Sequence, residues 1–105
     1  MTQLAHTFSA LGNQTRFAIV ERLLNEGDLP VGAFLTMDNL SPPALSRHFK
    51  VLREAGIIER RVDKQQRIYS VRPQAVQQIC EWSISYRKFW SAGLDRLEQA
   101  LSEAD

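Results

Sequence analysis

From Pro73 to about residue 101, Val76, Ile79, Trp82, Tyr86, Phe89, Trp90, Leu94, Leu97 and Leu101 recur at steps of three and four, the spacing of a single helical stripe. Only Gly93 is a weak point within it. A helix of that span is roughly 40 Å long at 1.5 Å per residue, and a chain of 105 residues has too little remaining mass to cover it. The stripe either folds back on its own domain or meets another surface, and its length favours the second. Aromatic anchors are frequent in interface cores. Ile79, Trp82, Tyr86, Phe89, Trp90 and Leu97 are therefore expected at a homodimer interface, joined by Leu4 and Phe8 from the start of the chain.

Upstream, Leu4, Phe8 and Leu11 predict a short helix over 3–11. Gly12 interrupts it, and Asn13 caps a second helix with Phe17, Val20, Leu23 and Leu24 on its apolar side, ending before Asn25-Glu26-Gly27-Asp28. Pro30 suits the first turn of a third short helix carrying Val31, Phe34 and Leu35, which Gly32 and Thr36 weaken and Asp38-Asn39 stops. Ser41-Pro42 is the clearest start signal, a hydroxyl that accepts from free amides followed by a residue with none to satisfy. A helix is predicted over about 42–55, with Leu45, Phe49 and Leu52 inward and Gly56 ending it.

The period then changes. Ile57–Val62 and Arg67–Arg72 are short β-type segments joined through Asp63-Lys64-Gln65-Gln66, a hairpin or wing over about 57–72, with Tyr69 and Val71 on its buried face. No repeat or linker divides the chain. The expectation is one domain over 1–105, mostly α with a small β-hairpin: a winged helix-turn-helix, dimerising through terminal helices.

Charge distribution says more than the net charge of +1. Residues 41–72 hold eight of the thirteen cations and only three of the twelve carboxylates. Such a basic middle third suits a polyanion, nucleic acid above all, although a solvated face accounts for charge alone equally well. On a helical wheel the helix over 42–55 turns Pro43, Ala44, Ser46, Arg47, Lys50 and Glu54 away from its apolar side. An α-helix fits the major groove of double-stranded DNA. Small Ala44 permits close approach, and Arg47 can donate two hydrogen bonds to a guanine edge. Lys64, Gln65, Gln66 and Arg67 at the hairpin tip suit phosphates, though polar hairpin tips are common.

Other classes find little support. Apolar runs fall far below the roughly 18 residues of a membrane span, and residues 1–15 contain no Lys or Arg for a leader. The expected location is cytoplasmic. Cys80, the single cysteine, cannot form an intrachain disulfide; packing as a small residue or pairing across a dimer both remain open. His48 flanks the apolar stripe, where it either packs or donates to phosphate, and His6 has no assigned chemistry. No phosphate loop or nucleophile–base pair suggests an enzyme or a cofactor.

The run Leu40-Ser41-Pro42-Pro43-Ala44-Leu45-Ser46-Arg47-His48-Phe49-Lys50-Val51-Leu52-Arg53-Glu54-Ala55-Gly56-Ile57-Ile58 resembles the recognition-helix signature of ArsR-type bacterial repressors. Leu11-Gly12-Asn13-Gln14-Thr15-Arg16-Phe17-Ala18-Ile19 resembles their early L-x-(D/N)-x-T-R-x-x-I motif, and the W-x-x-x-Y-x-x-F-W pattern of residues 82–90 resembles a metal-independent branch. The resemblance implies a winged-helix homodimer that represses transcription from a partly palindromic operator and releases it when an effector arrives. It makes Ser41, Ala44, Ser46, Arg47, His48 and Lys50 DNA-facing. The effector is unidentified; a hydrophobic small molecule near the terminal aromatics is compatible.

Pro42 departs from the frequent Gln of the family, and the wing tip lacks its common Gly. Metal-sensing members use cysteine pairs near the helix before the recognition helix, or Asp and His on the terminal helix. Residues 29–40 hold no Cys or His, and Asp95 and Glu98 have no His on their helix. No sensory metal is expected. The alternative function is a winged-helix protein–protein interaction module without specific DNA recognition.

Overall fold

The computed structural model describes residues 2–104. Local capping chemistry sets the first elements. Helix α1 (Thr2–Leu11) gives way to α2 (Gln14–Glu26), where the Asn13 side chain accepts from the Arg16 amide at 3.0 Å and Gly27, at φ 88°, closes the far end. The guanidinium Nε of Arg16 donates to the Ala10 carbonyl at 2.7 Å, stitching the end of α1 to the start of α2. Helix α3 (Pro42–Glu54) begins where the Ser41 hydroxyl accepts from the Ala44 amide.

Its end follows the pattern of a glycine cap. Gly56 adopts φ 77°, its amide donates to Arg53 O, and the Ile57 amide reaches back to Leu52 O, each at 3.0 Å. Two otherwise orphaned carbonyls are thereby satisfied. The chain turns sharply into the wing, β2 (Ile58–Asp63) and β3 (Gln66–Val71), paired antiparallel from Ile58↔Val71 to Asp63↔Gln66.

Inside, Phe34 meets Phe49 edge-on at 5.2 Å, and Phe49 stacks on Tyr69 at 4.2 Å. Leu45, Phe49 and Leu52 are all buried, as the helical period of α3 predicts. The Arg22 guanidinium lies 4.9 Å from the Phe34 ring and donates to the Ala33 carbonyl, closing the core from the α2 side.

Four features differ from the sequence reading. Residues 29–39 are not one helix. Leu29–Pro30 form a short strand, β1, on the β3 edge, giving sheet order β1–β3–β2, and two 3₁₀ turns follow at Val31–Phe34 and Met37–Asn39. Pro30 lacks an amide, which an edge strand tolerates, and Asn39 at φ 54° supplies the stop. On α2, Ile19 is buried with Val20 and Leu23, whereas Phe17 and Leu24 stand seven apart on a separate, exposed row. On α1 Thr7 and Ala10 are buried and Leu11 packs against the core as expected, whereas Phe8 lies to one side.

The fourth is the terminal stripe, which is not one rod. Helix α4 (Pro73–Ser85) and helix α5 (Arg87–Glu103) meet at Tyr86, φ −105° and ψ 23°. The Ser85 hydroxyl donates to Trp82 O at 2.6 Å, a local bond that competes with helix continuation, and Trp90 Nε1 donates to Ser83 O across the bend. Gly93 lies inside intact helix. The bent arm extends the molecule to 61 × 30 × 21 Å. No described helix is long and apolar enough to cross a membrane.

Gly56→Ala is expected to destabilise the fold by about 1–2 kcal/mol, the cost of a left-handed L-residue. The added Cβ also approaches Gln3 Nε2 to 3.0 Å, disturbing its bond to Ala55 O. Denaturant titration of the variant against the parent measures the loss, and unchanged stability refutes the cap.

Candidate nucleic-acid interface

Burying Leu45, Phe49 and Leu52 fixes the rotation of α3, and that rotation decides what the helix shows to solvent. Ser41, Pro43, Ser46, Arg47 and Lys50 are exposed, and Ala44 and His48 are half-buried. Lys50 approaches Glu54 to 4.0 Å in the open, an exposed pair of small energetic consequence. Ser41 has a prior task, since its hydroxyl accepts from Ala44 N at 3.3 Å. A second acceptor site and the hydroxyl proton remain for other contacts.

Beside α3, the wing carries Lys64, Gln65, Gln66 and Arg67 at its tip, all exposed. Asp63 pairs with Gln66, so the loop proper is Lys64-Gln65, with Lys64 at φ 59°. Hairpins of this length favour glycine or asparagine at such angles, so a lysine here places a cation at the tip despite backbone strain. The structure thus brings helix and wing residues to adjacent exposed elements, linked through the Phe49–Tyr69 stack.

Sequence reasoning assigned no role to Arg60 and Arg61, which strand pairing separates. Residues opposite each other in an antiparallel pair share a face. Arg60 stands opposite Tyr69, on the face toward α3, while Arg61 stands opposite Ile68 on the reverse face, where it binds Asp28 at 2.7 Å. The alternation of a strand could have distinguished them only with the register known.

The residues expected at a dimer interface lie apart from this basic surface. Leu4 and Ile79 are half-buried; Phe8, Trp82, Tyr86, Phe89, Trp90 and Leu97 are exposed, Phe89 to 77%. Phe8 meets Trp82 edge-on at 5.4 Å, and Trp82 meets Tyr86 at 5.5 Å. Nothing on α5 is buried. Cys80 is exposed and not packed inside the domain.

Comparison with known proteins bears on the fold and the family. Residues 13–60 match the family of bacterial regulatory proteins described as the arsR family. The chain is 34% identical over 99 residues to the HTH-type transcriptional regulator Rv2034 of Mycobacterium tuberculosis, spanning 93% of this chain and 89% of that protein. The chain belongs to the ArsR family. It is a DNA-binding transcriptional regulator with a winged helix-turn-helix fold. The transcriptional repressor SdpR of Bacillus subtilis is 28% identical over 81 residues, 77% of this chain and 89% of that protein. An ArsR-like regulator from Rhodococcus sp. RHA1 superposes with a TM-score of 0.73 at 21% identity over 93% of this chain and 92% of that one, which shows the shared fold.

Within this ArsR-family protein, one titratable group on α3 is set apart. Burial, and then the positive charges of Arg16 and Arg47, hold the His48 imidazole below its ordinary pKa of 6.5. The neutral form therefore predominates at pH 7. Between the lowered folded value and 6.5, the unfolded chain binds more protons than the folded one, so the contribution to stability is lost as pH falls through that window and levels off below it. His48→Gln is expected to flatten this part of a stability–pH profile measured by urea unfolding. A variant profile parallel to the parent's overturns the assignment.

Proposed function

We propose that this protein is a homodimeric repressor that places α3 in successive major grooves of an inverted-repeat operator. The reading rests above all on one arrangement: the buried Leu45–Phe49–Leu52 stripe leaves Pro43, Ser46, Arg47 and Lys50 exposed beside a wing with Lys64 and Arg67 at its tip. Ala44 and Ser46 allow the helix near the bases, and Arg47 has the donor fork that recognises a guanine edge. Ser41, Pro43, His48 and Lys50 line the approach to flanking phosphates, and Lys64, Gln65, Gln66 and Arg67 serve the neighbouring backbone or minor groove. The name of the Bacillus subtilis relative, a transcriptional repressor, supports the direction of regulation.

A second copy is the proposed cover for α5 and the Phe8–Trp82–Tyr86 cluster. Phe89, Leu94, Leu97 and Leu101 are each more than half exposed, an apolar row that a solvated monomer has no means to cover. A charge introduced at its centre, Leu97→Glu, is expected to shift the sedimentation coefficient from dimer to monomer. A parent protein already monomeric at micromolar concentration overturns the dimer.

Selection of bound duplexes from a random pool is expected to return a symmetric site with half-sites spaced in multiples of roughly 10 bp. Arg47→Ala should then weaken that site by about 1–3 kcal/mol and relax preference, whereas Lys64→Ala weakens all sequences alike. An unaltered ratio between preferred and scrambled sites in Arg47→Ala removes base reading from this residue. Weak, salt-driven attachment with no enriched site would instead favour a protein-binding wing.

A further inference from the structure

Between α3 and the wing lies a cleft of about 580 Å³ whose polar walls include Ser46, Lys50 and Arg53 on one side and Arg60 and Arg67 on the other. Two periodicities build it. Positions 46, 50 and 53 follow the helical spacing of neighbours along one face of α3. Arg60 and Arg67 share the strand face of Tyr69, whose ring stacks on Phe49 and seals the floor. Glu54 and Glu59 also line the cleft, so four cations face two carboxylates. Lys50 approaches Glu54 at 4.0 Å. Arg53, Arg60 and Arg67 form no ion pair among the described residues, whereas Arg61 and Arg22 are both paired.

Unpaired guanidinium groups around an apolar floor raise the local positive potential, because the low-dielectric wall screens it less than water does. A helix seated in a major groove and a wing at the adjoining minor groove must straddle the sugar–phosphate strand that divides the two grooves. Resting on the DNA reading above, we propose that this cleft seats that strand and that Arg53 and Arg60, outside the recognition surface and the wing tip, are phosphate-binding residues. Arg61, one position along the same strand and of the same charge, faces away and takes no part.

Phosphate contacts are independent of sequence, so the test requires no knowledge of the operator. Binding of the full chain to a random-sequence duplex is followed by fluorescence anisotropy across a potassium chloride series. Each of Arg60→Gln and Arg53→Gln is expected to reduce the slope of log affinity against log salt by about 0.9 per lost contact in each subunit. Arg60→Lys should retain the slope, and Arg61→Gln should leave it at the parental value. Matching thermal melts of all variants separate these effects from folding. Equal losses for Arg60→Gln and Arg61→Gln mean that bulk charge alone matters and overturn the cleft. An unchanged Arg60→Gln slope overturns it while the DNA reading stands, and failure of the parent to bind any duplex at low salt removes both.

Discussion

The stack of Phe49 on Tyr69, with Phe34 edge-on behind it, is the contact on which the rest of the arrangement depends. It joins α3 to the wing, so the angle between these two elements is held by two rings in van der Waals contact as well as by the tight turn at Gly56. Offset and edge-on aromatic pairs contribute about 0.5–1.5 kcal/mol beyond their burial. Their larger consequence is geometric. Rotation of α3 about its axis is fixed by the same residues that fill the core, and every exposed side chain on the helix inherits its direction from that constraint.

Elements with local chemistry at their ends were legible in the sequence. Ser41, Pro42 and Gly56 bound α3 almost to the residue, because capping uses groups within a few positions of the helix end. Strand β1 was not legible: two residues carry no period, and Pro30 suits an edge strand as well as a helix start. The bend at Tyr86 was hidden for the opposite reason. Apolar residues keep their helical spacing across it, while the departure comes from a serine hydroxyl bonding a nearby carbonyl, which hydrophobic pattern does not register.

The candidate site divides along the same line. The outward face of α3 follows from a wheel, since the period of a helix alone separates Arg47 and Lys50 from Leu45 and Phe49. Arg60 and Arg61 look equivalent as letters. Only the pairing of Arg60 with Tyr69 and of Arg61 with Ile68 sends them to opposite faces, and pairing register is a long-range property. Likewise, the eight cations of residues 41–72 mark a basic region but not which of them are already neutralised, as Arg61 is by Asp28.

The bend at Tyr86 turns the terminal segment into a lever. Helix α5 has 17 residues and is roughly 25 Å long at 1.5 Å per residue, so a 10° change of direction at Tyr86 displaces its far end by about 4 Å. The direction in which the exposed apolar row of α5 points, relative to the Phe8–Trp82 pair on the near side of the break, is therefore set by the backbone torsions of one residue.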